Sequence, residues 1–136
     1  ITDLERIGDE TEKIARLVLN LNDPRAITTY YTGILAISKN VRRMLSDALN
    51  AFARMDSKSA IRIAQMDKEI DAGIDLLMRQ LITFTLEDVS VISAVLDAVL
   101  AARALERIGD HARNICENVI YLVDGIDVRH GETGIS

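Results

Sequence analysis

The chain has 136 residues, the size of one ordinary domain, and 49% of them are hydrophobic although only 4% are aromatic and none is Trp. One Pro, seven Gly and one Cys exclude a turn-rich sandwich or barrel, a collagen-like or low-complexity chain, and a disulfide scaffold. The net charge of −5 disfavours binding to nucleic acid or an anionic membrane surface and permits cation binding.

No run of 18 apolar residues occurs, and the first twenty residues are too acidic for a signal peptide. A single cysteine fits a reduced, cytoplasmic setting. The chain opens at Ile1 already in helical rhythm, which reads as a piece of a longer protein.

The first segment, residues 2–21, carries Leu4, Ile7, Thr11, Ile14, Val18 and Leu21 at alternating spacings of three and four, the stripe of a bundle helix. Asn22-Asp23-Pro24 ends it, with Asp23 placed to cap the next helix. The second segment, 24–55, has Ile34, Ile37, Val41, Met44, Ala48 and Phe52 on its stripe, widened by Leu45 and Leu49. Asp56 or Ser57 caps the third segment, 58–86, whose face is Ile63, Met66, Ile70, Ile74, Leu77, Leu81 and Phe84.

The fourth segment, 89–123, keeps the rhythm through Val91, Ala94, Ala98, Ala101, Leu105, Ile108, Ala112, Ile115, Val119 and Leu122. Small residues early in that stripe allow close helix approach, and Gly125 supplies a stop. Residues 127–136 have no period and read as a tail. Tyr30, Tyr31 and Tyr121 read as boundary residues, and Cys116 as a small core residue. Short connections predict antiparallel neighbours. The expected fold is all-α: an antiparallel three-helix bundle over 24–126, with one extra N-terminal helix over 1–23 that has no partners of its own.

An internal repeat accounts for that extra helix. The run LERIGDETEKIARLVLNL at 4–21 matches LERIGDHARNICENVIYL at 105–122 in nine of eighteen positions, six of them consecutive, at an offset of 101 residues. A period that long points to a duplicated domain rather than a solenoid. The first segment then reads as the last helix of a preceding repeat.

The repeated run places Glu5 four residues before Asp9, and Glu106 four residues before Asp110. Each pair stacks two carboxylates on adjacent turns, which repel by a few tenths of a kcal/mol. Gly8 and Gly109, mid-helix, cost about 1 kcal/mol each against Ala. Two unfavourable choices in both copies suggest a purpose. Counting 100° per residue, Glu106 and Asp110 lie about 140° from the apolar centre, on the exposed side, with Glu117 in the same sector. A second ladder, Asp67, Asp71 and Asp75, flanks the third segment's apolar face.

Acid pairs from neighbouring helices would make an oxygen-rich site for a hard cation such as Mg²⁺, Mn²⁺, Ca²⁺ or iron. The plainer alternative is a solvated acidic face neutralised by Arg6, Arg107, Lys68 and Arg113. His111 points about 100° away from Asp110. Neither it nor His130 has the company a ligand or catalytic residue needs, and no nucleophile–base pair or phosphate loop is present.

The run at 105–125 followed by Asp-Val-Arg-His resembles the closing helix of the PhoU family of bacterial phosphate-signalling regulators. The runs DALNAFARMD at 47–56 and DKEID at 67–71 fit at the expected distances. The resemblance implies two similar three-helix bundles, of which this chain would hold the end of the first and all of the second. It implies metal ions, with Mg, Mn, Fe or Zn as candidates, at carboxylate pairs: Asp67 with Asp71, Glu106 with Asp110, and Glu5 with Asp9. The last pair lacks its partner helix here and should be incomplete. The resemblance further implies a non-enzymatic adaptor, repressing the phosphate-starvation response between a phosphate ABC transporter and a membrane sensor histidine kinase. A homodimer would cover the apolar stripe of the first segment.

Two other readings compete. A ferritin-like carboxylate di-metal oxidase needs Glu-x-x-His, but Gly109 stands three residues after Glu106 and Gly8 three after Glu5. A purely structural helical dimerisation module would hold no metal.

Overall fold

The computed structural model describes residues 2–19 and 30–125. Four long helices account for nearly all of them: α1 (Thr2–Leu19), α2 (Thr32–Arg54), α3 (Ser57–Glu87) and α4 (Ile92–Asp124), with a short 3₁₀ turn at Val89–Val91 before α4. No strand occurs among the described residues. The expected turn at Asn22-Asp23-Pro24, together with Leu21, His130 and the tail, lies outside them.

Local chemistry sets the boundaries. Met55 adopts a left-handed conformation (φ 54°) at the end of α2, and Asp56 then caps α3, its carboxylate accepting from Ser59 N at 3.1 Å. Asp88 turns the chain into the 3₁₀ segment by accepting from Ser90 N at 3.0 Å. Gly125, with φ 69°, ends α4, its N–H donating to Tyr121 O at 2.9 Å. α2 is described from Thr32, with Tyr31 as its N-cap residue making no side-chain cap; the expected start at 24 lies outside the described residues.

α2, α3 and α4 form the expected antiparallel bundle. Gly33 lies against Leu77 and Gly73 against Ile37, so α2 and α3 run in opposite directions. Gly109 lies against Ile70, and Ser57 Oγ donates to Asp124 Oδ1 at 3.2 Å, so α3 and α4 do as well. Met44, Ile74, Leu81, Val119 and Ile120 are the largest fully buried apolar side chains.

The expectation that the first segment lacks partners is corrected. α1 packs antiparallel along α4, burying Ile7. Asp3 Oδ1 meets His111 Nδ1 at 2.9 Å, and Glu10 Oε2 lies 3.5 Å from Arg107 Nη1. α4 is therefore the central helix, touching the other three. Its buried arc is wider than the stripe predicts and takes in Ala102, Ala104, Gly109, Cys116 and Glu117. Ala98, Ala101, Ala102 and Ala112 are fully buried, the small surface that a helix with three neighbours needs.

Other stripe positions shift by one residue. Ala51 takes the core where Phe52 was expected; Phe52 is 49% exposed and, with Leu4, Leu49 and Ile115, lines a cavity of about 70 Å³ between α1, α2 and α4. Val95 replaces Ala94, while Leu4, Val18 and Leu122 stay exposed at the margins of their stripes. Thr11 is exposed and donates its hydroxyl to Ile7 O at 2.8 Å. Tyr31, expected at the boundary, is buried, whereas Tyr30 packs edge-on against Phe84 with ring centroids 5.3 Å apart. Cys116 is fully buried, and burial pushes its thiol up to about 12.

Candidate metal centre

The ladder on α3 and the repeated run on α4 face each other. Asp67 and Asp71 stand one turn apart on α3, and the antiparallel register sets Asp110 of α4 opposite them. One oxygen from each of these three carboxylates lies within 4.8 Å of the other two. Ligands on opposite sides of an ion with bonds of about 2.4 Å are about 4.8 Å apart, so the span suits a hard cation on oxygen donors.

The site deepens from rim to floor. Asp110 is exposed, Asp71 half-buried, and Asp67 only 3% exposed. Asp67 reaches that depth because α4 presents Gly109 to it. A Cβ added at Gly109 would stand 3.2 Å from Asp67 Oδ1, tighter than side chains normally pack. The glycine that costs helix propensity thus provides the space for a carboxylate.

Asp67 Oδ1 and Asp71 Oδ1 are buried and have no hydrogen-bond partner among the described residues. An unsatisfied buried carboxylate oxygen is costly. Burial raises Asp67 to about 6, and neighbouring Asp110 adds to the shift against the opposing pull of Arg113. Burial likewise raises Asp71 to about 6, with Asp67 and Glu106 contributing. Asp110 is raised too, first by desolvation of its carboxyl and then by Asp71 and Glu106. Three acids that disfavour one another's charge, with orphaned oxygens pointing inward, form a donor set fitted to a cation.

The other candidates fall elsewhere. Glu106 is half-buried and adds to the negative field, but its Oε1 accepts from Arg103 Nη1 at 2.9 Å and it lies outside the cluster. Asp75 is exposed one turn beyond Asp71. Glu5 and Asp9 are exposed in a shallow recess shared with Arg6, Lys13 and Arg107, with no third ligand beside them among the described residues. Space around Gly8 is open: an added Cβ would meet nothing within 4 Å.

Glu117, expected on the exposed side, is buried at 7% exposure, because α4 has neighbours on three sides. It accepts from Arg113 Nε at 3.1 Å, while Arg113 Nη1 lies 3.7 Å from Asp67 Oδ2. The sequence names Arg113 only as one of several surface neutralisers. Its seat beside the floor of the site depends on helix register, which periodicity does not reveal. His111 is half-buried and engaged with Asp3.

Residues 34–119 match the family model described as the PhoU domain. A phosphate-specific transport system accessory protein PhoU homolog of Pseudomonas putida is 51% identical over 96% of this chain and 51% of its own length. The accessory protein PhoU of Escherichia coli K12 is 42% identical over 96% of this chain and 54% of its own. The crystal structure of PhoU from Pseudomonas aeruginosa superposes with a TM-score of 0.85 at 46% identity, covering 92% of this chain and 60% of that one. The chain therefore spans about half the length of the curated relatives it matches. No helix among the described residues is long and apolar enough to cross a membrane.

Proposed function

Because the chain belongs to the PhoU family, we propose that it acts as a non-enzymatic, metal-binding adaptor in the control of phosphate uptake and phosphate-starvation signalling. The carboxylate trio at Asp67, Asp71 and Asp110, with its glycine-cut floor, is the observation that carries the metal part of this reading. The regulatory part rests on the relatives, which are named as accessory proteins of the phosphate-specific transport system. On this reading the chain works in the cytoplasm, between a phosphate ABC transporter and a membrane sensor histidine kinase. Residues 1–23 are the end of one repeat and 24–126 a second, complete one.

A hard cation such as Mg²⁺, Mn²⁺ or Fe would be held by Asp67 and Asp71 from α3 and Asp110 from α4. It would cancel their mutual repulsion, tie the two helices together and change the charge of the face offered to a partner. The sequence contains no Glu-x-x-His run of the kind a di-metal oxidase uses.

The test is Mn²⁺ titration by calorimetry across pH 5 to 8. The two acids raised to about 6 must lose their protons to coordinate. Affinity should therefore fall by on the order of tenfold or more per pH unit below 6, with proton release on binding. Failure of Mn²⁺, Mg²⁺ and Fe²⁺ alike to bind at pH 7.5 would remove the metal from this reading.

We also propose a homodimer. Leu4 and Val18 on α1, and Ile92, Leu96 and Leu100 on α4, leave apolar side chains about half exposed. Light scattering at micromolar concentration should give twice the chain mass of 15.1 kDa, and a monomer would refute it.

A further inference from the structure

We propose that Arg113 is a built-in counter-cation that lowers the carboxylate site's preference for ions of higher charge, shifting it toward divalent and away from trivalent ions. This rests on the metal reading above and concerns a residue outside the ligand set.

Two independent contacts hold the guanidinium in place. Its Nε donates to Glu117 Oε1 at 3.1 Å and its Nη1 lies 3.7 Å from Asp67 Oδ2, bridging two buried acids. Asp67 is thereby left with one oxygen toward the arginine and the other, Oδ1, unpartnered over Gly109. Arginine remains protonated at every accessible pH, so this positive charge is permanent.

Charge balance then distinguishes ions. Asp67, Asp71 and Asp110 bring three negative charges when ionised, and Arg113 returns one. Glu117, also buried, shares that positive charge, and Glu106 is hydrogen-bonded to Arg103. The three carboxylates attract a trivalent ion more than a divalent one, and the guanidinium beside them repels it more, so the arginine moves the balance toward the divalent ion. Poorly solvated charges are weakly screened, so this effect is larger here than on an open surface.

The internal repeat shows the alternative. Arg113 and Glu117 correspond to Glu12 and Arg16, the same i, i+4 pair with its charges exchanged. The second copy of the run therefore carries a cation where the first carries an acid. Glu12 is exposed and pairs with Arg16, with no carboxylate cluster beside it among the described residues.

The experiment compares Mn²⁺ and Tb³⁺ on the full chain: Mn²⁺ by calorimetry, Tb³⁺ by its luminescence, and each ion by displacement of the other. Arg113→Gln should raise the Tb³⁺-to-Mn²⁺ affinity ratio by about tenfold, as expected for one unit charge acting on one extra unit of ion charge through a moderately polar medium. Arg113→Lys, which keeps the charge without the fork, should restore most of the wild-type ratio. Circular dichroism establishes that each variant is helical. If Arg113→Gln fails to fold, Glu117→Gln, which removes one negative charge and leaves the guanidinium uncancelled, replaces it and should lower the same ratio. Ions that bind both forms with an unchanged ratio would overturn the role of Arg113 and leave the metal site standing. A wild-type chain that binds neither ion would overturn the site, and this inference with it.

Discussion

Asp67→Asn should abolish cation binding while making the metal-free protein more resistant to heat. The substitution keeps the shape of the side chain and removes the charge at the floor of the site, where the residue is almost wholly buried. Loss of an inner ligand should weaken Mn²⁺ binding by at least roughly 100-fold, the upper end of what outer-shell partners alone cost.

The stability effect has the opposite sign. Asp67 is raised from 3.8 to about 6 in the folded chain, so the fold binds its proton more tightly than the unfolded chain does. Its contribution is therefore most favourable below pH 3.8 and is lost as pH rises through about 6. Above that range the folded protein carries a charge it disfavours. Asparagine never acquires it, and Arg113 keeps Glu117 as a partner. Thermal melts of metal-free samples should show wild-type stability declining between pH 4 and 7, and a shallower decline in Asp67→Asn, with the variant more stable at pH 7. Saturating Mn²⁺ should reverse the order, because only the wild type gains binding energy. Equal Mn²⁺ affinity in the two proteins would exclude Asp67 as a ligand.

The sequence makes most of the bundle legible, since burying one side of each long helix leaves a 3.6-residue period in the chain. Ile34, Val41 and Met44 of α2, and Ile70, Ile74 and Leu81 of α3, lie buried where their stripes put them. What the period cannot show is how many neighbours a helix has. α4 has three, so Glu117 is buried although it sits opposite the stripe. The burial of Tyr31 is hidden for a related reason: two adjacent tyrosines at a helix start have no periodicity to reveal which of them turns inward.

The candidate site divides in the same way. Spacing of i, i+4 tells that Asp67 and Asp71 share a face, as do Glu106 and Asp110. Only the antiparallel register tells that Asp110 meets the other ladder while Glu106 turns to Arg103. Contacts between helices distant in sequence, such as Asp3 with His111 or Arg113 with Asp67, depend on that same register.

The two repeated glycines should respond to alanine in opposite ways. Gly8→Ala removes a flexible residue from the interior of α1 and places its methyl group where nothing lies within 4 Å. Helix propensity then acts unopposed, and the chain should gain about 1 kcal/mol. For a domain of this size that is roughly 3–5 °C in the unfolding midpoint.

Gly109→Ala receives the same propensity gain in α4, but its methyl group arrives 3.2 Å from Asp67 Oδ1. The carboxylate must move by a few tenths of an ångström, and Ile70, with side-chain atoms 3.7 and 3.9 Å away, closes the space around it. Part of the propensity gain is then offset by displacing a buried charge, so the midpoint should change little or fall. Inner-shell ligands tolerate little displacement, so Mn²⁺ affinity should drop at least about tenfold. In Gly8→Ala it should stay at the wild-type value, because α1 contributes no ligand to the trio. Differential scanning calorimetry and Mn²⁺ titration of the two variants side by side decide the matter. A stabilised Gly109→Ala with undiminished affinity would mean that the glycine does not serve the carboxylate. The repeated glycine would then need another explanation in both copies.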